Sequence, residues 1–151
     1  MKSADERTMA EAARVLLSQK AMPPSLLSRV MAIGAGLVRT GRLPQAVVEE
    51  KPGHYALCLI QQKDEEVREL AGCGQLVVGR HPVSSDASWQ VDDKWLSKQH
   101  FRITVDENGF ATLEDLGSKN GVCVNDTPLD SPRLLSRGDC IAAGHSLFLL
   151  L

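Results

Sequence analysis

From Tyr55 the spacing of apolar residues changes from helical to a period of two, in short runs that recur to Leu151. That change narrows the folds open to the chain, because an alternating run has one face to bury and must pair with neighbouring strands. Short strand candidates fall at residues 55–60, 67–70, 75–78, 101–105, 110–113, 121–124, 140–143 and 147–151. Turn signals recur every 8 to 12 residues, with Asn108-Gly109 reading as a hairpin turn that needs positive φ and Gly138-Asp139 as a second turn. No long helical pattern intervenes after residue 53, so the pattern predicts an all-β unit over 53–151, built as an antiparallel β-sandwich.

Residues 1–50 read as a separate helical extension. Ser3-Ala4-Asp5-Glu6 forms a capping box, and Met9, Ala13, Leu16 and Leu17 recur at helical spacing behind it. Pro23-Pro24 stops this helix. Ser25 caps a second, in which Leu26, Leu27, Val30, Met31, Ile33, Leu37 and Val38 make a wide apolar face, and Gly41 and Pro44 end it. Charge divides at the same place: the first 52 residues hold 8 Lys and Arg against 5 Asp and Glu, net +3, and the rest hold 9 against 14, net −5. All six aromatic residues lie in the second part. The apolar face of the second helix needs a cover, which the β unit, a second copy of the chain or a partner protein would supply, and this predicts a docking element distinct from any site on the β unit.

Several function classes drop out. No window approaches the roughly 18 apolar residues of a membrane span, and the acidic start of the chain lacks the basic and apolar regions of a signal peptide, so the expected location is cytoplasmic. Cys58, Cys73, Cys123 and Cys140 are widely spaced with no zinc-ligand pattern and are expected as buried free thiols. No phosphate-binding P-loop occurs, and Gly34-Ala35-Gly36 lacks the third glycine of a dinucleotide fingerprint. Nucleic acid is not an expected partner, because the β unit is acidic and its basic residues are isolated.

Three loops of the β unit carry residues suited to an anion: Gly79-Arg80-His81, Leu96-Ser97-Lys98-Gln99-His100, and Asp115-Leu116-Gly117-Ser118-Lys119-Asn120-Gly121. Loops at one end of a sandwich converge, and these offer a guanidinium, hydroxyls, ammonium groups and glycine-freed amides. In order and spacing they resemble the forkhead-associated (FHA) domain, whose pattern is a G-R turn, an S-x-x-H strand start and an N-G turn after a D-L-G-S segment. Leu135-Ser136-Arg137-Gly138-Asp139-Cys140-Ile141 is similar to that family's late L-x-x-G-D-x-I segment. The resemblance covers residues 53–151.

It implies a β-sandwich that binds phosphothreonine in peptides, with Arg80 and Ser97 on the phosphate and Asn120 on the peptide backbone. It also implies that Lys98, Ser118 and Lys119 line the site, and that Gly79, His100 and Gly121 support it, His100 as a buried brace rather than a general base. Lys119 departs from the threonine common in the family and replaces a defined slot with a mobile charge. No G-x-S-x-G elbow or orienting carboxylate accompanies Ser97 and His100, so no enzyme is expected, nor any cofactor. The partner implied is a phosphothreonine protein in kinase-dependent signalling. The alternative is an FHA-like scaffold that has lost phosphate binding and acts through residues 1–50.

Overall fold

The computed structural model of the chain describes residues 40–60, 66–82 and 88–151, together with Ala32, Gly36 and Leu37. A short helix, α1 (Gln45–Val48), precedes eleven strands among these residues. They are β1 (His54–Ile60), β2 (Glu66–Ala71), β3 (Gln75–Gly79), β4 (Ser88–Gln90), β5 (Phe101–Val105), β6 (Ala111–Asp115), β7 (Val122–Val124), β8 (Thr127–Pro128), β9 (Arg133–Leu134), β10 (Cys140–Ala143) and β11 (Ser146–Leu150). Two sheets result, one in the order β2-β1-β11-β10-β7-β8 and the other β4-β3-β5-β6-β9.

The expected sandwich is thus present, with one difference: β3 and β4 pair in parallel, while the other pairs are antiparallel. The hairpin at Asn108-Gly109 also differs in detail. Gly109 takes φ 85°, but Asn108 does not enter the left-handed region; Asp106 accepts the amides of Asn108, Gly109 and Phe110 and builds a longer turn.

Alternation places one set of side chains between the sheets. Leu57, Leu59, Trp89, Phe101, Ile103, Leu113, Ile141 and Phe148 are buried there. Phe148 meets Trp89 and Phe101 edge-on, at centroid distances of 5.7 and 5.3 Å.

The outer face of the first sheet is apolar as well, which the alternating pattern alone does not explain. Ala56, Cys58, Ile60, Cys140, Leu147 and Leu149 form a second cluster, covered by Leu37, Leu43 and Val47. Part of the extension is therefore the cover of the β unit. A helical turn ends at Gly41, where φ is 69° and Arg42 N–H reaches Leu37 O at 3.1 Å, the hydrogen bond of a Schellman stop. The chain then turns through α1 onto the sheet. Arg137 fastens the junction by donating to Lys51 O and Leu151 O and lying 4.4 Å over the Tyr55 ring.

The expected helix between Ser3 and Pro23, and most of the second, lie outside the described residues; of the second, Ala32, Gly36 and Leu37 are helical. Among the described residues no helix is long and apolar enough to cross a membrane. The cysteines divide in a way the sequence did not indicate. Cys58 and Cys140 are buried, Cys123 is half-buried and Cys73 is exposed in the β2–β3 turn, and no disulfide joins them. Burial, with the Asp139 charge beside it, pushes the Cys140 thiol up to about 12; burial also raises that of Cys123.

Candidate functional site

The pairing of β3 with β5 and of β5 with β6 brings the end of β3, the start of β5 and the end of β6 to one pole of the sandwich. Gly79 is the first requirement there. A Cβ on it would lie 2.1 Å from Lys98 O and 2.7 Å from Lys98 C, so only glycine lets the 97–99 backbone close against β3. With that approach, Arg80 N–H donates to Ser97 O at 2.9 Å and His81 N–H to Lys98 O at 3.1 Å.

The 95–97 segment has all six of its backbone groups engaged. Trp95 N–H donates to Asp93 Oδ1 and Trp95 O accepts from Asn120 Nδ2; Leu96 N–H donates to Asp93 O and Leu96 O accepts from Arg80 Nε. Ser97 N–H donates to His100 Nδ1 at 2.9 Å, and Ser97 O takes the Arg80 amide. Arg80 therefore uses Nε to hold the loop, and its terminal nitrogens make no hydrogen bond to another described residue.

His100 is fully buried, as expected for a brace. Because its Nδ1 accepts the Ser97 amide, the ring proton sits on Nε2, which donates to Gly121 O at 2.8 Å. One imidazole thus ties the second loop to the third. The same geometry removes it as a base for Ser97: the serine Oγ faces the Lys119 amide, from which it accepts at 2.9 Å. With the oxygen accepting inward, the hydroxyl proton is left to donate to a ligand.

The third loop is built on Asp115 and Ser118. Asp115 Oδ1 accepts from Ser118 N–H at 2.8 Å and Ser118 Oγ accepts from Gly121 N–H at 3.0 Å, with Gly121 at φ 79°. Ser118 is thereby half-buried and occupied in shaping the turn. Lys98, Lys119 and Asn120 are exposed, and neither ammonium pairs with a carboxylate among the described residues. Asp93 turns both oxygens onto neighbouring donors and Asp115 turns Oδ1 onto the Ser118 amide, beside the cations Arg80, Lys98 and Lys119.

Arg80, Ser97, Lys119 and Asn120 are thus joined through one hydrogen-bonded unit supported by Gly79, His100 and Gly121, while Lys98 stands beside it. Sequence reasoning missed Asp93. Its signal was the Asx turn, an aspartate oxygen on the amide two residues ahead. Of the two tryptophans, Trp89 is core and Trp95, 43% exposed, stacks on His145 at 4.8 Å.

Comparison with known proteins bears on this pole. The FHA domain family model matches residues 76–144. The FHA domain-containing protein FhaA of Mycobacterium tuberculosis is 37% identical over 73 residues, covering 48% of this chain and 13% of FhaA. The glycogen accumulation regulator GarA of the same species is 32% identical over 93 residues, or 62% of this chain and 54% of GarA. The chain thus spans about half the length of GarA and a small part of FhaA. Among solved structures, the FHA domain of the CT664 protein from Chlamydia trachomatis superposes with a TM-score of 0.59 at 30% identity, covering 65% of this chain and 96% of that one. The FhaA FHA domain, solved in complex with the intracellular domain of Rv3910, gives 0.56 at 31% identity over 64% and 99% of the two chains.

Proposed function

Because the chain belongs to the FHA family, whose domains are binding modules for phosphothreonine peptides, we propose that its loop pole binds a phosphothreonine-containing protein and recruits it in kinase-dependent signalling. The observation that carries this reading is the orientation of donors at Ser97 and Arg80. The serine oxygen accepts the Lys119 amide and the guanidinium holds Leu96 O through Nε, so among the described residues a hydroxyl proton and two terminal amino groups remain for an anion. Lys98 and Lys119 add charge without a fixed geometry, and Ser118 contributes by shaping the turn under Asn120.

A phosphate brings about −1.5 to −2 charges at pH 7, enough for such a pole to separate modified from plain peptide. Asn120 keeps its side-chain oxygen and a second amide proton for the peptide backbone while the first proton holds Trp95 O. The affinity expected of one ion and a few backbone hydrogen bonds is micromolar, about −8 kcal/mol.

Titration of wild type and Arg80→Ala with a phosphothreonine peptide and its plain form tests the reading. Arg80→Ala is expected to cost about 2 to 5 kcal/mol of phosphopeptide binding, as when one partner of a charged hydrogen-bonded pair is truncated. Equal wild-type affinity for the two peptides would refute it and leave the scaffold reading, in which Arg80 has no ligand.

A further inference from the structure

We infer that Asp93 is a positioning residue for the phosphopeptide site: it ties the 95–97 segment to the β10–β11 turn and so sets where the Ser97 hydroxyl and the Asn120 amide stand. This rests on the phosphopeptide reading above. Asp93 is half-buried, and its two oxygens reach two loops. Oδ1 accepts from Trp95 N–H at 2.9 Å, while Oδ2 accepts from His145 N–H at 2.8 Å and from Ser146 Oγ at 2.7 Å.

The turn is shaped to receive this carboxylate. At Gly144, where φ is 57°, a Cβ would lie 2.9 Å from Asp93 Oδ2 and 3.1 Å from Leu96 N. The stacking of Trp95 on His145, with the rings 11° from parallel, is a second tie between the same two loops.

From the carboxylate to the ligand groups the path is short. Asp93 holds the Trp95 amide while the Trp95 carbonyl takes Asn120 Nδ2; the Asp93 carbonyl holds the Leu96 amide while the Leu96 carbonyl takes Arg80 Nε. Ser97 follows directly. A neutral amide cannot reproduce the arrangement. In Asp93→Asn the oxygen can still accept from Trp95, but the new NH2 group faces the His145 N–H, donor against donor.

The test is a double-mutant cycle on the full chain: wild type, Asp93→Asn, Ser97→Ala and the double variant, each titrated with one phosphothreonine peptide and its plain form. Asp93→Asn is expected to weaken phosphopeptide binding about tenfold and to leave plain-peptide binding unchanged. In the Ser97→Ala background the same change is expected to cost about threefold or less, because the hydroxyl it positions is gone. Ser146→Ala leaves the carboxylate and removes one donor, with a loss of about threefold; it replaces Asp93→Asn in the cycle if that variant does not fold. Additive losses, or full affinity in the folded variants, would overturn the inference while the wild type still prefers the phosphopeptide. A wild type without that preference overturns the functional reading and this inference together.

Discussion

Replacing Gly79 by alanine tests whether the close approach of β3 to the 97–99 segment is what builds the site. The added Cβ would stand 2.1 Å from Lys98 O, and 3.0 Å is the nearest that real side chains come, so the segment has to retreat by about 0.9 Å. The atom in the way is backbone, with no rotamer to absorb the clash. Arg80 N to Ser97 O, now 2.9 Å, and His81 N to Lys98 O, now 3.1 Å, would then exceed hydrogen-bonding range. Two backbone hydrogen bonds are worth about 1 kcal/mol each, and overpacking adds about 2 more, which gives a loss of about 4 kcal/mol. With a urea dependence near 1.5 kcal/mol per molar, the unfolding midpoint should fall by about 2 to 3 M. Urea melts followed by tryptophan fluorescence measure the shift, and phosphopeptide titration of the folded fraction measures the site. A midpoint within about 0.5 M of wild type, with affinity unchanged, would show that the approach is not needed.

Truncation tests the proposed division into residues 1–50 and 53–151: a chain starting at Gly53 loses Leu37, Leu43 and Val47 from the outer sheet face, about 5 to 8 kcal/mol of apolar burial against a usual total of 5 to 15, and should unfold or aggregate. A full-length melting temperature in that truncation would disprove the role of the cover. For Cys140, the folded thiol at about 12 lies above the ordinary value of 9.0, so its contribution is whole below pH 9 and is lost as pH rises; about 1 kcal/mol should be gone by pH 10. Urea melts at pH 8 and pH 10 measure this, and Cys140→Ala should show a smaller drop. Lys119→Thr keeps the amide that Ser97 Oγ accepts and removes an exposed charge, so paired titrations should show a sharper preference for phosphothreonine over phosphoserine and a weaker salt dependence. An unchanged ratio would place that side chain outside the binding surface.

Much of the architecture was legible because it is written in periodicity. The runs at 101–105 and 140–143 coincide with β5 and β10, and the other longer strands differ from their expected bounds by a residue or two. The strands β8 and β9 were not legible because two residues cannot display a period, and β4 is defined by its parallel pairing with β3 at Val77, Val78 and Gly79, which no run of its own announces. Nor was the covered outer face of β1, since Ala56, Cys58 and Ile60 alternate with Leu57 and Leu59 inside one unbroken apolar run. At the candidate site, spacing brought out the three loops that β3, β5 and β6 gather at one pole. It could not reveal which atoms of Arg80, Asn120 and His100 hold neighbouring carbonyls and amides, because those links join loops far apart in sequence.

The full engagement of the 95–97 backbone has a consequence for how such a surface changes over evolutionary time. With every N–H and C=O of that segment committed inward, a ligand arriving there meets side chains only. Side chains can be exchanged singly, whereas a surface made of main-chain amides changes only when the loop itself is rebuilt. The scaffold and its preferences are therefore separable: Gly79, Asp93 and His100 hold the shape, and Lys98 and Lys119 are free to drift toward a new partner without melting it.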